Sequence, residues 1–161
     1  MLALSDGADN GEASSMFVAT TKRLTYEGAR KIVASAIEQA RAAKIAISCC
    51  VVDAGGQVVA LDRMDGAPFH TIHSYGTKAV CSSSTKRKTG AKGAVGQTLD
   101  VAHALGLALA AGATRWTAME GGVPIIVDGE CAGGVGVSGG DWETDQRIAQ
   151  AAVESIGAKS G

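Results

Sequence analysis

Residues 121–140 read GGVPIIVDGECAGGVGVSGG, and eight of these twenty residues are glycine. An Asp-Gly dipeptide at 128–129, with an apolar segment on each side, predicts a β-hairpin with a tight turn. Glycines inside a strand usually mark a bulge or a position where a ligand or another backbone comes close. We therefore interpret this stretch as an antiparallel hairpin with positions of close approach, which could border a ligand that carries carboxylates.

Two short motifs in the same stretch suggest other functions, but neither has the surroundings that its function needs. Residues 134–139 match the dinucleotide fingerprint G-x-G-x-x-G, which requires a second parallel strand and an acidic residue about 20 positions later. Only 22 residues follow Gly139, and a closing helix takes most of them. Residues 136–140 match the nucleophile elbow G-x-S-x-G, but all three histidines precede Ser138, whereas a hydrolase of that type places its histidine last. We expect neither a dinucleotide site nor a nucleophilic Ser138.

The composition is that of a globular domain, with 46% hydrophobic and 19% charged residues in a chain of 161. We expect a flexible tail at residues 1–20 and a single domain at residues 21–161. A net charge of −1 argues against a nucleic-acid partner. Without a secretory signal or an apolar run of about 18 residues, we expect no membrane association and a cytoplasmic location with reduced cysteines.

Hydrophobic periodicity predicts helices on either side of a second hairpin. The sequence predicts an amphipathic helix after Thr25, a hairpin over 46–63, a helix over about 69–84, a small-residue helix over about 97–111 and a closing helix capped by Asp141. Sequential hairpins imply an antiparallel sheet covered by helices, so the fold class is α+β.

His70 and His73 are the first candidate ligands, because their i, i+3 spacing places them on one helical face after the break at 65–68. Two imidazoles at this spacing could chelate one metal ion, or one could bind haem iron while the other forms a hydrogen bond. They could equally form a partly exposed polar face. Tyr75 is a further ligand-binding candidate on this helix, and His103 is expected to be a core or interface residue.

Charged and glycine residues supply the remaining candidates. Arg63 could hold a carboxylate with two hydrogen bonds, or could pair with a neighbouring aspartate. Lys78 could bind a carboxylate, act as an acid or base if desolvated, or simply extend its ammonium to the solvent. Glu120 is a candidate general base, and Gly121 and Gly122 would let a ligand approach backbone N–H groups. We expect the ligand where the 63–78 segment meets these glycines.

Two stretches, RMDGAPFHTIHSYGTKAV at 63–80 and the glycine-rich stretch at 121–140, resemble the GlcG/HbpS-type family. This family is also called the haem-degrading domain and forms the C-terminal domain of PduO-like corrinoid adenosyltransferases. The resemblance covers about residues 24–157. It implies a profilin-like three-layer α/β/α domain with a five-stranded antiparallel sheet, usually in symmetric homo-oligomers encoded in catabolic operons. The small-residue helix after residue 97 also favours a homo-oligomer, because such helices approach one another closely.

The resemblance implies a tetrapyrrole-binding protein, for haem or a corrinoid. In that hypothesis haem is the cofactor, His70 or His73 is its axial ligand, and its propionates lie near Arg63 or Lys78. The alternative is a small-molecule catabolic enzyme of the isomerase, lyase or hydrolase type, in which His73, Lys78 or Glu120 transfers protons on a carboxylated or aromatic metabolite. A purely structural subunit is the third hypothesis, and the sequence leaves open whether the protein is an enzyme.

Overall fold

The computed structural model describes residues 17–161, so most of the tail predicted at 1–20 lies outside the described residues. Within 17–161 the chain forms four helices and four strands, in the order that the sequence predicted. They are α1 (Tyr26–Ala42), β1 (Ser48–Asp53), β2 (Val58–Arg63), α2 (Thr71–Thr85), α3 (Val101–Ala111), β3 (Gly122–Val127), β4 (Glu130–Ser138) and α4 (Trp142–Glu154).

The strands form one antiparallel sheet in the order β2-β1-β4-β3. Both predicted hairpins are confirmed, and the pairing of β1 with β4 joins them. The expectation of five strands is wrong for residues 17–161, which contain four. After α4 the chain turns at Gly157, with φ of 78°, and pairs with the β3 edge only through the bridge between Lys159 and Ile126. This segment therefore satisfies one position of the edge without forming a ladder.

Helices α1 and α4 cover one face of the sheet and enclose the larger apolar core. Both begin at the predicted caps, because Thr25 Oγ1 accepts a hydrogen bond from the Gly28 N–H (3.1 Å) and the Asp141 carboxylate accepts one from the Thr144 N–H (2.8 Å). The core side chains are mainly Val, Ile and Ala. The largest include Ile32, Val51, Ile125, Val135 and Ile148.

Helix α2 covers the opposite face and lies directly on the glycines of β4. A Cβ atom at position 136 would lie 2.7 Å from the backbone nitrogen of Ala79, and one at position 134 would lie 2.8 Å from that of Ser83. Since ordinary contacts of a Cβ atom are 3.4–4 Å, only glycine permits this approach. Of the groups that could approach these glycines, a ligand or a backbone, the structure places the backbone of α2 against Gly134 and Gly136.

Helix α3 is shorter than predicted and stands away from the rest of the domain. Residues 91–99 form a small antiparallel loop, joined by the Lys92–Thr98 bridge, so the helix begins only after its cap, Asp100. None of its residues is buried, although its sequence is almost wholly apolar; Leu109, for example, is 74% exposed. The ring of His103 is exposed and pairs with Asp100, which excludes the expected core position. None of the helices described in 17–161 is both long and apolar enough to cross a membrane.

Candidate functional site

An open cavity of about 660 Å³ lies between the first half of α2, one face of α3 and the segment 113–119. Its volume is in the range of small-molecule sites, roughly 300–1,000 Å³. The walls are mostly apolar, because α3 contributes residues at the spacing of one helical face and the following segment adds large side chains. These wall residues include Val101, Ala104, Leu105, Ala108, Trp116 and Met119.

Both candidate histidines line this cavity. His70 is the residue that caps α2, and His73 lies in the first turn. The Thr77 hydroxyl lies 3.1 Å from the His73 carbonyl oxygen and 3.2 Å from the Ala113 carbonyl oxygen. Thr77 therefore links this turn of α2 to the segment that forms the cavity's other wall. The face shared by the two imidazoles, predicted from their spacing, is directed at one site.

The hydroxyl groups of Ser74 and Ser138 meet at the sheet side of the cavity, 2.8 Å apart. Ser138 is almost fully buried, and across residues 17–161 the structure contains no hydrogen bond from a histidine to its hydroxyl. A serine nucleophile needs an adjacent base. That Ser138 is not a nucleophile stays a prediction, and in this structure its hydroxyl contacts that of Ser74.

Arg63 lies outside the lining of this cavity. Its guanidinium donates two hydrogen bonds to the Ala67 carbonyl oxygen, from Nε (3.1 Å) and Nη2 (2.6 Å). The side chain lines a separate cleft together with Arg41, Asp62 and Asp65. In this structure Arg63 braces the break between β2 and α2.

Lys78 is also directed away from the cavity, into a buried ion pair. Its ammonium donates to the Val137 carbonyl oxygen (2.8 Å) and to Asp145 Oδ2 (3.1 Å), and the two charged side chains are 5% and 4% exposed. Burial raises the pKa of Asp145, an effect that the nearby charge of Lys78 opposes. The pair joins α2, β4 and α4. Tyr75 is buried against Cys50 and Val52 on the same face of the sheet.

Glu120, Gly121 and Gly122 lie beyond the cavity wall rather than in it. The Glu120 side chain lies near Gly90. The Gly121 N–H donates to Gln146 Oε1 (3.0 Å), and the Gly122 N–H donates to Thr89 Oγ1 (2.8 Å). Both backbone donors are therefore engaged within the protein. Of the predicted site residues, the structure brings His70 and His73 together at one cavity and places the others around it.

His70 and His73 are the imidazoles that the cavity lining offers to a ligand. Among residues 17–161 no group of three or more His, Cys, Asp or Glu is arranged to hold a metal ion. A structural zinc site usually needs four such ligands, whereas haem iron needs only one or two axial ligands from the protein.

The sequence analysis missed Trp116 and the apolar face of α3 as wall residues. A helix that is apolar on all sides is normally buried. The apolar sequence of α3 could therefore have indicated that a ligand or another chain covers it.

Comparisons with known proteins show which family this chain resembles in sequence and structure. The sequence model of the family described as "Haem degrading protein HbpS-like" matches residues 24–154. Protein GlcG of Escherichia coli strain K12 is 34% identical over 118 residues, which cover 71% of this chain and 81% of GlcG. The crystal structure of protein ORFY from Klebsiella pneumoniae matches with a TM-score of 0.77 and 30% identity over 88% of this chain and 95% of ORFY. PduOC, crystallised as a haem complex, shares the fold with a TM-score of 0.74 and 23% identity over 86% of this chain and 99% of that one.

Proposed function

The chain belongs to the family of haem-degrading HbpS-like proteins, and we propose that it is a tetrapyrrole-binding protein whose ligand is haem. The observation that carries the proposal is the apolar cavity between α2 and α3 with two imidazoles in its lining. The printed description of the family supports haem as the ligand, and the haem complex of PduOC supports the fold as a haem scaffold.

The lining suits a porphyrin in two respects. A flat, largely apolar ring would be held by apolar walls, which Leu105, Trp116 and Met119 provide, and its iron would take a ligand from the protein, which a histidine nitrogen can supply. We assign that nitrogen to His73, because His73 lies inside α2, which the glycines of β4 hold against the sheet. His70, the residue before the first turn of α2, would hold the ligand by a hydrogen bond.

Haem would supply a redox-active iron, and the chemistry of that iron belongs to the cofactor. The protein's own contribution is to bind and orient the ring and to exclude water from one of its faces. The Thr77 hydroxyl, within hydrogen-bond distance of the His73 and Ala113 carbonyl oxygens, holds the turn that carries His73 against the opposite wall. A large planar ligand would enter through the open side of the cavity.

The alternative, acid–base catalysis on a small metabolite, has less support. It requires His73, Lys78 or Glu120 to reach one substrate. Of these three, only His73 lines the cavity, while Lys78 is committed to Asp145. The geometry therefore favours binding over proton transfer.

We also propose that the protein is a homo-oligomer in the cytoplasm. The outward face of α3 exposes Leu107 and Leu109, which a second copy of the chain would cover. The four cysteines are free thiols, in agreement with a reducing compartment. A small-molecule ligand and further copies of the same chain would then be its partners.

Titration of the purified protein with haemin, followed by the Soret band, tests the proposed function. The wild-type chain should give a saturable, shifted Soret band. His73→Ala should weaken binding about tenfold or more and change the spectrum, since loss of an axial bond costs at least ~1.4 kcal/mol. His103→Ala removes an exposed imidazole on the neighbouring helix and should leave the titration unchanged. Absence of saturable binding to the wild type would refute the proposal, and normal spectra for both His70→Ala and His73→Ala would refute the assignment of the axial ligand.

A further inference from the structure

A second, much smaller cavity of about 40 Å³ lies next to the proposed haem site. Its lining includes the cationic side chains of Arg87, Lys88 and Lys92, which follow the end of α2. A cavity needs a volume of about 10–15 Å³ to hold one water molecule. The small cavity can therefore admit a carboxylate group or a few water molecules, but it cannot admit a ring.

The two cavities share a wall. Trp116 and Thr117 line both of them. Ala91 lines the large cavity, while its neighbours Gly90 and Lys92 line the small one. A ligand whose ring contacts Trp116 in the large cavity could therefore extend a short side arm into the small one.

The basic segment, residues 86–92, is held in place by its backbone conformation and by hydrogen bonds. Lys86 adopts a left-handed conformation, with φ of 55°, and reverses the chain after α2. The Thr89 N–H donates to the Gly122 carbonyl oxygen (2.9 Å), which anchors the segment to the start of β3. Arg87 Nη1 donates to the carbonyl oxygen atoms of Gly93 and Ala94, so its guanidinium braces the loop.

The lysines of the segment retain donors for a ligand. Lys92 Nζ donates one hydrogen bond to Thr98 Oγ1 (2.8 Å), which leaves two of its three N–H donors available. Lys88 is exposed and, among residues 17–161, forms no ion pair. Cations with free donors beside an apolar ring site match the chemistry of a ring that carries carboxylates.

Neighbouring acidic groups leave the charge of the small cavity positive. Glu120 lies near Gly90 but forms no ion pair with the basic side chains in the part of the chain described. Asp100, in the lining of the large cavity, accepts a hydrogen bond from the backbone N–H of His103 (2.8 Å) and contacts its ring. These interactions lower the pKa of Asp100, so its carboxylate stays ionised and would repel an anionic arm from that side.

We propose that the cavity lined by Arg87, Lys88 and Lys92 is a carboxylate subsite that holds a propionate of the tetrapyrrole whose ring occupies the large cavity. This inference rests on the proposed haem-binding function and extends it to the orientation of the ring. It replaces Arg63 and Lys78 as propionate ligands, because the first braces the β2–α2 break and the second is paired with Asp145.

Paired titrations with haemin and with haemin dimethyl ester, in which both propionates are esterified, test the subsite. The variant carries Lys88→Gln together with Lys92→Gln and keeps Arg87, which braces the loop. The control carries Lys31→Gln together with Lys159→Gln, which removes the same charge from exposed lysines elsewhere. Circular dichroism spectra and thermal melting of both variants report whether the fold is preserved.

The wild type and the control should bind haemin more tightly than the ester. In the Lys88→Gln, Lys92→Gln variant, haemin affinity should fall about three- to tenfold while ester affinity stays unchanged, since each exposed charge pair contributes only modestly. Equal affinity of the wild type for the two ligands, or an unchanged preference in the variant, would refute the subsite and leave haem binding standing. Failure of the wild type to bind either ligand would instead refute the proposed function, and the subsite with it.

Discussion

Replacing Gly136 by alanine should destabilise the protein severely, because this glycine sets the distance between α2 and the sheet. The added Cβ would lie 2.7 Å from the backbone nitrogen of Ala79 and 2.9 Å from the carbonyl carbon of Tyr75. Both are backbone atoms of α2, so a change of side-chain rotamer cannot relieve the overlap. Reaching an ordinary contact distance requires the helix to move outward by roughly 1 Å, which opens the packing of a dense interior.

The magnitude follows from the position of the clash. Overpacking a core typically costs about 1–3 kcal/mol, and more where the backbone must shift. Here the shift also separates Tyr75 and Ala79 from Cys50 and Val52, the apolar cluster under the helix. We therefore expect Gly136→Ala to lower the free energy of unfolding by about 3 kcal/mol or more, near the upper end of single substitutions.

Urea unfolding followed by circular dichroism measures this loss, and Gly106→Ala is the matched control. Gly106 lies in the exposed helix α3 with nothing within 4 Å of an added Cβ, so alanine there should be neutral or stabilising by up to about 1 kcal/mol. Because α2 carries His73, any folded Gly136→Ala protein should also bind haemin more weakly. A loss of stability below about 1 kcal/mol for Gly136→Ala would show that close contact with α2 is not the reason for glycine at this position.

Three further predictions concern the oligomer, Ser138 and the thiols. Leu107→Ser with Leu109→Ser should reduce the mass seen by light scattering towards the monomer, and a monomeric wild type at micromolar concentration would contradict the proposed interface. Ser138→Ala should change haemin affinity by no more than about threefold, because only the hydrogen bond to a neighbouring serine is lost; a much larger loss would assign Ser138 a direct role. Burial raises the pKa of Cys50 to about 12, so at pH 8 native protein should react quickly with Ellman's reagent only at the partly exposed Cys131, and rapid reaction of further thiols would disprove the burial.

The fold could be predicted from the sequence where local rules decide it. The Asp-Gly turn, the alternation of hairpins and helices, and the caps Thr25 and Asp141 each depend on a few adjacent residues, and each prediction is confirmed. The predicted number of strands, five, came from the family resemblance and was wrong, because residues 17–161 form a sheet of four. Whether the segment at Lys159 extends the sheet depends on its path across the β3 edge, which short-range patterns do not encode.

The candidate site was predictable only in part, because local spacing relates His70 to His73 but does not determine long-range contacts. The i, i+3 spacing of His70 and His73 fixes a shared helical face, and the cavity lies on that face. The partners of Arg63 and Lys78 depend on long-range packing, so the sequence could not show that one braces a carbonyl and the other a buried aspartate. The wall residue Trp116 belongs to an irregular segment and follows no periodic pattern.

The glycine-rich hairpin and the open cavity have a common origin in the small side chains of this chain. Where glycines line β4, α2 settles close to the sheet and becomes a rigid support for His73. Where α3 carries small and aliphatic residues but has no sheet beneath it, none of its side chains is buried and one of its faces remains open to the cavity. An apolar helix in water is unfavourable unless something covers it. A flat ring on its inner face and a second copy of the chain on its outer face would together cover α3, so haem binding and oligomer formation should stabilise each other, and haemin should raise the melting temperature of the wild type more than that of the Leu107→Ser, Leu109→Ser variant.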